Sequence, residues 1–288
     1  MRINTNIASM NAQESAINVN KSLGNSLEKL SSGLRINKAS DDASGLAIAD
    51  KLRTQASSIG QAISNGNSAV ALTQIADKAM AEQSNILDIV KQKLIQAGTA
   101  TTSTSGRTAI GKDVQKLLEQ LNNIAVQTNY NGMTLLQNGA ASTATAASYT
   151  FYVGETATNT IQTSNAVQAN TTGLGLTTLF NAVSAGAVGT FGTTTSTATT
   201  AMATIDSALD TLNGWRSDFG STQNQLESAL RNLGTQQTNI KAAESVIRDV
   251  DYASESANFN KQNIIAQAGT YALSQANTIQ QNVLRLLQ

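Results

Sequence analysis

The sequence predicts a mainly α-helical protein in which long, coiled-coil-like helices from both ends of the chain pack together. Three observations predict this fold class. The 288 residues include no proline, so long uninterrupted helices are permitted. Near both ends, apolar residues recur at three- and four-residue spacing, which is typical of helices with one apolar face. Between them, Glu155 is the one charged residue from Gln120 to Ile205, and this Ser/Thr/Ala/Gly-rich segment predicts a small, irregular or β-rich variable domain.

The first element is a helix that we expect from about Thr5 to Leu34, with Asn4 or Thr5 as its N-cap. Leucines step along one side of it by four, three and four residues. These residues are Leu23, Leu27, Leu30 and Leu34.

A polar break, SSGLRINKASDDASG, follows at residues 31–45. Its Gly, Asn and Asp residues favour turns and helix caps, so it predicts a short ordered linker. The second helix should begin after Asp41 or Asp42 and run to about Gln96, with Gly98 as its stop. Its apolar positions are Ile48, Leu52, Ile59, Ile63, Val70, Leu72 and Ile75.

A third helix is expected from roughly Ala109 to Thr128, carrying Val114, Leu117, Leu118, Leu121 and Ile124. The Asn131-Gly132 pair that follows is a hairpin-turn signal, which places a hairpin near residues 128–139. In the central segment, Tyr149, Phe151 and Val153 alternate with polar or exposed-type residues and predict a strand. Residues 173–180 suggest another short strand.

From Met202 the helical pattern returns in one heptad register. Its apolar members are Met202, Ile205, Leu209, Leu212, Phe219, Leu226, Leu230, Leu233, Ile240 and Ile247. This run of about 45 residues predicts a coiled-coil or bundle helix. Asp249, Asp251 and Tyr252 mark a break before a terminal helix. The apolar positions of that helix are Ile265, Ala268, Ala272, Ala276, Ile279, Val283 and Leu286.

The two terminal helices each need a partner, because an isolated helix gains little stability from intrinsic propensity. The simplest candidates are each other and their copies in neighbouring molecules. From the pattern alone, an ordinary intramolecular helical core remains an equal alternative.

Composition excludes several classes of function. Nineteen Lys and Arg residues balance nineteen Asp and Glu residues, which argues against nucleic-acid or membrane-surface partners. The absence of histidine and cysteine removes the commonest general base and metal ligands. We therefore predict no catalytic residues, no metal site and no cofactor. The N-terminus lacks a signal-peptide pattern, and no run is long enough to span a membrane.

Five segments resemble bacterial flagellin in the order and position that the family shows. They are MRINTNIASMNAQ at residues 1–13, LSSGLRINKASDDASGLAIAD at 30–50, TNYNG at 128–132, AESVIRDVDYASESANF at 243–259 and SQANTIQQNVLRLL at 274–287. The resemblance covers roughly residues 1–139 and 201–288. Residues 140–200 do not match, as expected for the variable outer region of the family, here in a short form.

The resemblance implies a non-enzymatic subunit that polymerises through its terminal helices into the flagellar filament for motility. It implies an inner layer of residues 1–40 and 251–288, a surrounding helical layer of 41–139 and 201–250, and a surface-exposed domain of 140–200. It also implies export without a cleaved signal peptide to an extracellular location. The implied partners are further copies of the chain, the flagellar cap, hook–filament junction proteins, an export chaperone and the flagellar export apparatus.

Two further sets of residues carry expectations. Arg35, Lys38, Asp41 and Asp42 are candidates for alternative polar contacts between subunits, or are merely solvated loop charges. Many flagellins carry an arginine recognised by Toll-like receptor 5 at the position of Ile89. The stretch here contains Leu87, Asp88, Ile89 and Lys91, so we expect weak or no recognition, unless Lys91 or Lys93 compensates.

The hydroxyl-rich centre is a candidate for O-linked glycosylation. Two other functions remain open from the sequence. A hook–filament junction protein would share similar termini, although TNYNG and AESVIRDVDYA favour flagellin itself. A secreted enzyme or adhesin could be carried on the variable centre, although its residues make catalysis unpromising.

Overall fold

The computed structural model confirms a mainly helical fold and describes residues 6–138, 147–156, 158–163, 166–184 and 195–286. The helices are α1 (Ile7–Ser32), α2 (Ala43–Gly98), α3 (Thr104–Gln127), α4 (Thr177–Ser184), α5 (Thr195–Arg248) and α6 (Tyr252–Leu286). The strands are β1 (Asn129–Tyr130), β2 (Met133–Thr134), β3 (Thr150–Tyr152) and β4 (Thr160–Gln162). They form two separate two-stranded antiparallel sheets, β1–β2 and β3–β4.

The chain divides into two compact units. Unit 1 combines Met1–Ser57 with Gln237–Gln288, and unit 2 is the intervening Ser58–Gln236. Helices α2 and α5 each contribute residues to both units.

Unit 1 is built on the pairing of the first and last helices. At one end, Nδ2 of Asn6 donates to the carbonyl of Ala276 at 3.1 Å. At the other, Tyr252 lies so close to Gly33 that a Cβ there would sit 2.9 Å from the tyrosine hydroxyl. Helices α1 and α6 are therefore antiparallel.

The ends of α1 differ slightly from the sequence prediction. Asn6 is the N-cap, since its side chain accepts a hydrogen bond from the amide of Ser9 at 3.0 Å. The predicted caps, Asn4 and Thr5, lie outside the described residues. The helix stops at Ser32, two residues before Leu34, because Gly33 adopts a left-handed conformation with φ +74° and its amide donates to the carbonyl of Lys29.

Helices α2 and α5 run antiparallel in unit 2 and form its frame. Asp77 of α2 pairs with Arg216 of α5 at 3.0 Å, and further along α2 Lys91 pairs with Asp206. The predicted heptad register of α5 is confirmed by the burial of alternate members. The fully or nearly fully buried ones are Ile205, Leu212, Phe219, Leu226 and Leu233. Trp215 is half-buried against this core.

Several buried positions of α2 are alanines that the sequence analysis did not single out, although the predicted Ile59 and Leu72 are buried as well. Ala49, Ala56, Ala62, Ala69 and Ala76 are all at most 3% exposed. By contrast, Ile48 is 53% exposed and Ile75 is 40% exposed. Small buried side chains let two helix backbones approach closely. Alanines spaced about seven residues apart can therefore form a helix–helix contact without a conspicuous hydrophobic stripe.

Helix α3 begins five residues earlier than predicted. The hydroxyl of Ser103 caps it by accepting from the amide of Gly106 at 3.2 Å. The predicted hairpin is confirmed, with Tyr130 opposite Met133. Asn131 and Gly132 both have positive φ, 51° and 81°, which is the requirement of a type I′ turn.

The strand predicted around Phe151 is also confirmed, and Phe151 lies opposite Ile161 of β4. The prediction of a strand at residues 173–180 is wrong, because helix α4 spans Thr177–Ser184. Leu179 and Val183, one helical turn apart, are buried on the inner face of α4. A short apolar run of this kind does not distinguish a buried helix from a strand.

Buried amide side chains fasten the central segment to the helices of unit 2. The Nε2 atom of Gln83 donates to the carbonyls of Leu121 and Ala169 at 3.1 and 2.8 Å. Oδ1 of Asn122 accepts from the amide of Thr171 at 2.9 Å. Such bonds satisfy backbone groups that would otherwise be buried without a partner.

Truncating the largest buried side chain of α5 tests this core. Phe219→Ala should lower the free energy of unfolding of unit 2 by about 3–5 kcal/mol, because a fully buried aromatic ring leaves a cavity. Ile95→Ala, at a 52% exposed position of α2, should change it by no more than about 0.5 kcal/mol. Urea unfolding of the full chain, followed by Trp215 fluorescence, measures both. Equal effects of the two substitutions would contradict the assigned core.

Candidate assembly surface on the terminal helices

Helices α1 and α6 meet along a narrow line of half-buried residues, here called the terminal seam. On α1 the seam contains Ala12, Ala16, Val19, Leu23 and Leu30, and on α6 it contains Phe259, Ala266, Leu273 and Ala276. The members recur at three- and four-residue intervals, which keeps them on one side of each helix. Seam residues are half-buried rather than fully buried, so one helix covers only part of the apolar surface of the other.

Large apolar side chains outside the terminal seam are exposed on both helices. We call this set the outward faces. On α1 they are Ile7 (60% exposed), Met10 (60%), Ile17 (61%) and Leu27 (56%), and on α6 they are Ile264 (68%), Ile265 (40%), Tyr271 (75%) and Ile279 (56%).

Four of the eight outward-face residues are offset from the seam by two positions in the sequence. Met10 and Ile17 each precede a seam residue of α1 by two positions, and Ile264 and Tyr271 do the same on α6. Two positions correspond to about 200° around an α-helix, so these side chains point almost directly away from the seam. Each terminal helix therefore carries two apolar stripes, and unit 1 occupies only one of them.

The apolar residues that the sequence analysis predicted on the terminal helices lie partly in the seam and partly at exposed positions. Leu23, Leu30 and Ala276 belong to the seam, whereas Leu27, Ile265, Ala268, Ala272 and Ile279 are exposed. Leu34 is half-buried in the linker, where it forms a β-bridge with Asp249. The side chains of Val283 and Leu286 lie outside the described part of the chain. Sequence reasoning missed Ile7, Met10, Ile17, Ile264 and Tyr271, although their own heptad spacing was visible.

The linker after α1 is hydrogen-bonded to the break between α5 and α6. The amide of Val250 donates to the carbonyl of Gly33 at 3.0 Å, and the amide of Arg35 donates to the carbonyl of Arg248 at 2.6 Å. The guanidinium of Arg35 also donates to the carbonyl of Ile247 through Nε and Nη2, at 3.2 and 2.6 Å. A cation at the C-terminus of α5 is favourable, because the last carbonyls of a helix carry partial negative charge. We call this set of contacts the linker clip.

The charged residues predicted for this region have partners inside the chain. Lys38 forms an ion pair with Glu28 at 2.6 Å, and both side chains are more than 40% exposed. Oδ2 of Asp41 accepts from the amides of Asn37 and Lys38, each at 3.1 Å. These bonds hold the turn that precedes α2.

Asp42 is the N-cap of α2. Its Oδ1 accepts from the amide of Gly45 at 2.9 Å and from the hydroxyl of Ser44 at 3.0 Å. The hydrogen bond from Gly45 holds the pKa of the Asp42 carboxyl below its usual range, and the hydrogen bond from the amide of Lys38 does the same to the pKa of Asp41. The hydrogen bond to Glu28 raises the pKa of Lys38.

The residues singled out around Ile89 lie on α2 in unit 2. Leu87 is fully buried, whereas Ile89 is 43% exposed and Asp88 is exposed. The two lysines nearby both form ion pairs. Lys91 pairs with Asp206 of α5, and Lys93 pairs with Asp113 of α3 at 3.2 Å.

Other kinds of site lack support in the ranges that the structure describes. There, no three acidic, histidine or cysteine side chains converge in a way that could hold a metal ion. Over the same ranges, none of the helices combines the length and apolarity that crossing a membrane requires.

Comparisons with known proteins agree with this geometry. The family described as the bacterial flagellin N-terminal helical region matches residues 3–141, and that of the bacterial flagellin C-terminal helical region matches residues 202–287. The chain is 37% identical over 297 residues to the flagellar filament 30.7 kDa core protein of Treponema maltophilum. It is 35% identical over 305 residues to a flagellin of Bacillus subtilis. Both alignments cover 100% of this chain and of the relative.

One solved structure supports the fold alone. It is that of a putative flagellar hook-associated protein from Vibrio parahaemolyticus, which aligns with a TM-score of 0.61 at 12% identity. The alignment covers 72% of this chain and 99% of that chain.

The cap of α2 gives a pH-dependent prediction. Because the pKa of Asp42 is lowered in the folded chain, its contribution to stability is present above the ordinary carboxyl pKa of 3.8 and is lost as the pH falls through the lower folded value. Asp42→Ala should therefore reduce the midpoint of thermal unfolding at pH 7, and the difference from the unsubstituted chain should shrink at about pH 2.

Asp42→Asn is the matched control, because asparagine caps a helix as well as aspartate but does not titrate. It should unfold close to the unsubstituted chain at pH 7. Far-UV circular dichroism of the full chain at both pH values measures these differences. An Asp42→Ala effect of equal size at both pH values would show that the charged cap is not responsible.

Proposed function

We propose that this chain, which belongs to the bacterial flagellin family, polymerises through the outward faces of α1 and α6. It is a structural subunit of the extracellular flagellar filament, which serves motility. The observation that carries this proposal is the second apolar stripe on each terminal helix, which unit 1 leaves exposed. Contiguous exposed apolar surface of this kind is typical of protein–protein contacts.

The energetics favour burial of the outward faces between copies. Removing one isoleucine or leucine side chain from water contributes about 1.5–3 kcal/mol. Several such residues lie on each helix, so even partial burial can offset the rotational and translational entropy that a subunit loses on joining a polymer. The same stripes would make unit 1 less stable in a free subunit, and assembly and ordering of the terminal helices would then be coupled.

We place residues 1–40 and 251–288 in the inner layer of the filament. Residues 41–139 and 201–250, which include the hairpin, would form the surrounding helical layer. Residues 140–200 would be exposed at the filament surface, where the hydroxyl-rich segments could carry O-linked glycans. This layering is supported by the concentration of large exposed apolar residues on α1 and α6 and by the nearly uncharged composition of the centre.

Arg35, Lys38, Asp41 and Asp42 could exchange partners between subunits. Their present partners lie inside the chain, but exposed ion pairs contribute little and are easily replaced. The pair Lys38–Glu28 is the best candidate, since both side chains are accessible.

We also propose that the chain is exported through the flagellar export apparatus with a chaperone, and that it meets the flagellar cap and the hook–filament junction proteins. The absence of proline and cysteine supports this route. A chain that must fold after export is then not delayed by prolyl isomerisation or disulfide exchange. The absence of histidine and cysteine likewise supports a role without catalysis.

Recognition by Toll-like receptor 5 is proposed to be weak or absent. Ile89 is partly exposed but carries no charge. Lys91 and Lys93 are each paired with an aspartate inside unit 2, so either would have to leave that partner before it could replace the missing arginine.

The outward faces are tested by changing one side chain from apolar to charged. Ile17→Asp should raise the critical concentration for polymerisation at least about tenfold, because it removes about 1.5 kcal/mol or more of apolar burial and places a charge in the contact. Sedimentation of filaments formed by salt-induced assembly of the purified full chain measures the critical concentration.

Two controls separate the face from the charge. Ile17→Leu keeps the apolar surface and should assemble normally. Ser15→Asp adds the same charge at an exposed polar position of α1 and should have a much smaller effect. If Ile17→Asp and Ser15→Asp sediment alike, the outward face of α1 is not the polymerisation surface.

The receptor proposal makes a gain-of-function prediction. Ile89→Arg should raise activation of cells that express Toll-like receptor 5 by roughly tenfold or more, because a central arginine is a frequent binding hot spot. Gln74→Arg adds the same charge about four helical turns away on α2 and should leave activation unchanged. A response of the unsubstituted chain as strong as that of Ile89→Arg would contradict the proposal.

A further inference from the structure

A groove in unit 2 combines aromatic walls with an uncharged polar rim. It lies between the β1–β2 hairpin, the segment around β3 and one side of α2, and its volume is about 470 Å³. This size falls within the range of roughly 300–1,000 Å³ that is usual for small-ligand clefts. Ala69 and Leu72 of α2 lie at its base and are nearly inaccessible to water.

Four aromatic side chains line the groove. They are Tyr130, Tyr149, Phe151 and Tyr152. Tyr149 is fixed in place, because its hydroxyl donates to the carbonyls of Thr134 and Leu135 at 2.6 and 3.0 Å. Burial raises the pKa of Tyr149 to about 12, so this donor stays protonated at neutral pH. Tyr152 is 55% exposed and offers an open ring face at the entrance.

One edge of β3 borders the groove and, among the residues that the structure describes, has no partner strand. Tyr149 accepts from the amide of Thr163, and Val153 donates to the carbonyl of Asn159, so the backbone groups of alternate residues face β4. In an antiparallel pair the intervening residues direct their amides and carbonyls the other way. The backbone amides and carbonyls of Thr150 and Tyr152 therefore face the free edge.

Several polar side chains of the rim are also available. Within the part of the chain that the structure describes, the hydroxyls of Tyr130, Ser148 and Tyr152 and the amide of Asn131 make no hydrogen bond to protein. None of the described lining residues carries a charge.

We propose that this groove binds a neutral saccharide, with the face of a pyranose ring stacked on Tyr152 and its hydroxyls bonded to the rim and to the free edge of β3. A sugar ring presents apolar C–H groups on its face and hydroxyls around its perimeter. That distribution matches aromatic walls surrounded by unpaired donors and acceptors. The saccharide could be a free oligosaccharide or a glycan attached to protein.

Other ligand classes fit the groove less well. An apolar chain would leave the free backbone and hydroxyl groups without partners, which costs about 1–3 kcal/mol for each group that becomes buried. A phosphate or carboxylate ligand would find no cation among the described lining residues. A ligand that is both neutral and rich in hydroxyls avoids both penalties.

The test uses the purified full chain, both as subunit and as filament, on an array of neutral oligosaccharides of glucose, galactose, mannose and N-acetylglucosamine. Each glycan is presented both free of peptide and linked to a Ser/Thr peptide. Calorimetric titration of the strongest hit then gives its affinity. Equal binding in both forms identifies the sugar itself as the ligand, whereas binding of the peptide-linked form alone identifies a protein-attached glycan; both results support the proposal.

Tyr152→Ala should weaken binding of that hit about tenfold by removing the stacking surface, while Tyr152→Phe should retain most of it. Ile95→Ala, which removes an exposed apolar side chain of α2 elsewhere in unit 2, is the control and should bind as the unsubstituted chain does. Circular dichroism confirms that each variant is folded.

Three results would overturn the proposal. One is the absence of binding to any array glycan at concentrations up to about 1 mM. Another is binding that neither Tyr152→Ala nor Tyr130→Ala weakens. The third is a combined result in which Tyr152→Ala does not form filaments and the unsubstituted chain binds no sugar. The groove would then be a contact between subunits.

Discussion

The antiparallel pairing of the first and last helices is the interaction on which the rest of the structure depends. It requires the chain to return to its starting point, whatever the intervening segment contains. The seam is built partly from alanine, at Ala12, Ala16 and Ala266, so the helices approach closely but bury little surface between them. The pair is therefore held together locally while most of its apolar surface remains available, which is what a subunit of a polymer needs.

The second unit solves a different problem, that of holding a nearly uncharged central segment on a helical frame. Large side chains such as Met80, Leu87 and Phe219 supply the apolar core. Amides rather than charges fix the position of the central segment, and the contact of Asn170 Nδ2 with Gln137 Oε1 at 3.0 Å is fully buried. Neutral hydrogen bonds of this kind avoid the desolvation cost of buried ions.

Features with a strict local requirement could be predicted from the sequence. The Asn131-Gly132 turn needs two residues that tolerate positive φ, and the α5 heptad repeats over many turns. Features set by tertiary packing could not be predicted. The alanine positions of α2 were hidden beside larger isoleucines, and α4 was mistaken for a strand because its short apolar run has no distinctive period.

The candidate assembly surface shows the same limit. Leu27 and Leu23 lie four residues apart and looked equivalent, yet Leu27 is exposed and Leu23 is in the seam. The seam residues and the exposed apolar residues of one helix alternate along the sequence, so their spacing alone does not tell them apart. The position of the partner helix decides which of them are buried. The groove of the second unit was invisible for a similar reason, since it joins residues of α2 to others at least 58 positions further along the chain, beginning with Tyr130.

The single tryptophan makes the two units spectroscopically distinct. Trp215 is half-buried on α5 within unit 2, whereas the tyrosines of unit 1, Tyr252 and Tyr271, are largely exposed. Emission excited at wavelengths longer than the tyrosine absorption band therefore reports on unit 2 alone. The folding of the frame can thus be followed through tryptophan while sedimentation or light scattering follows the growth of the polymer in the same sample.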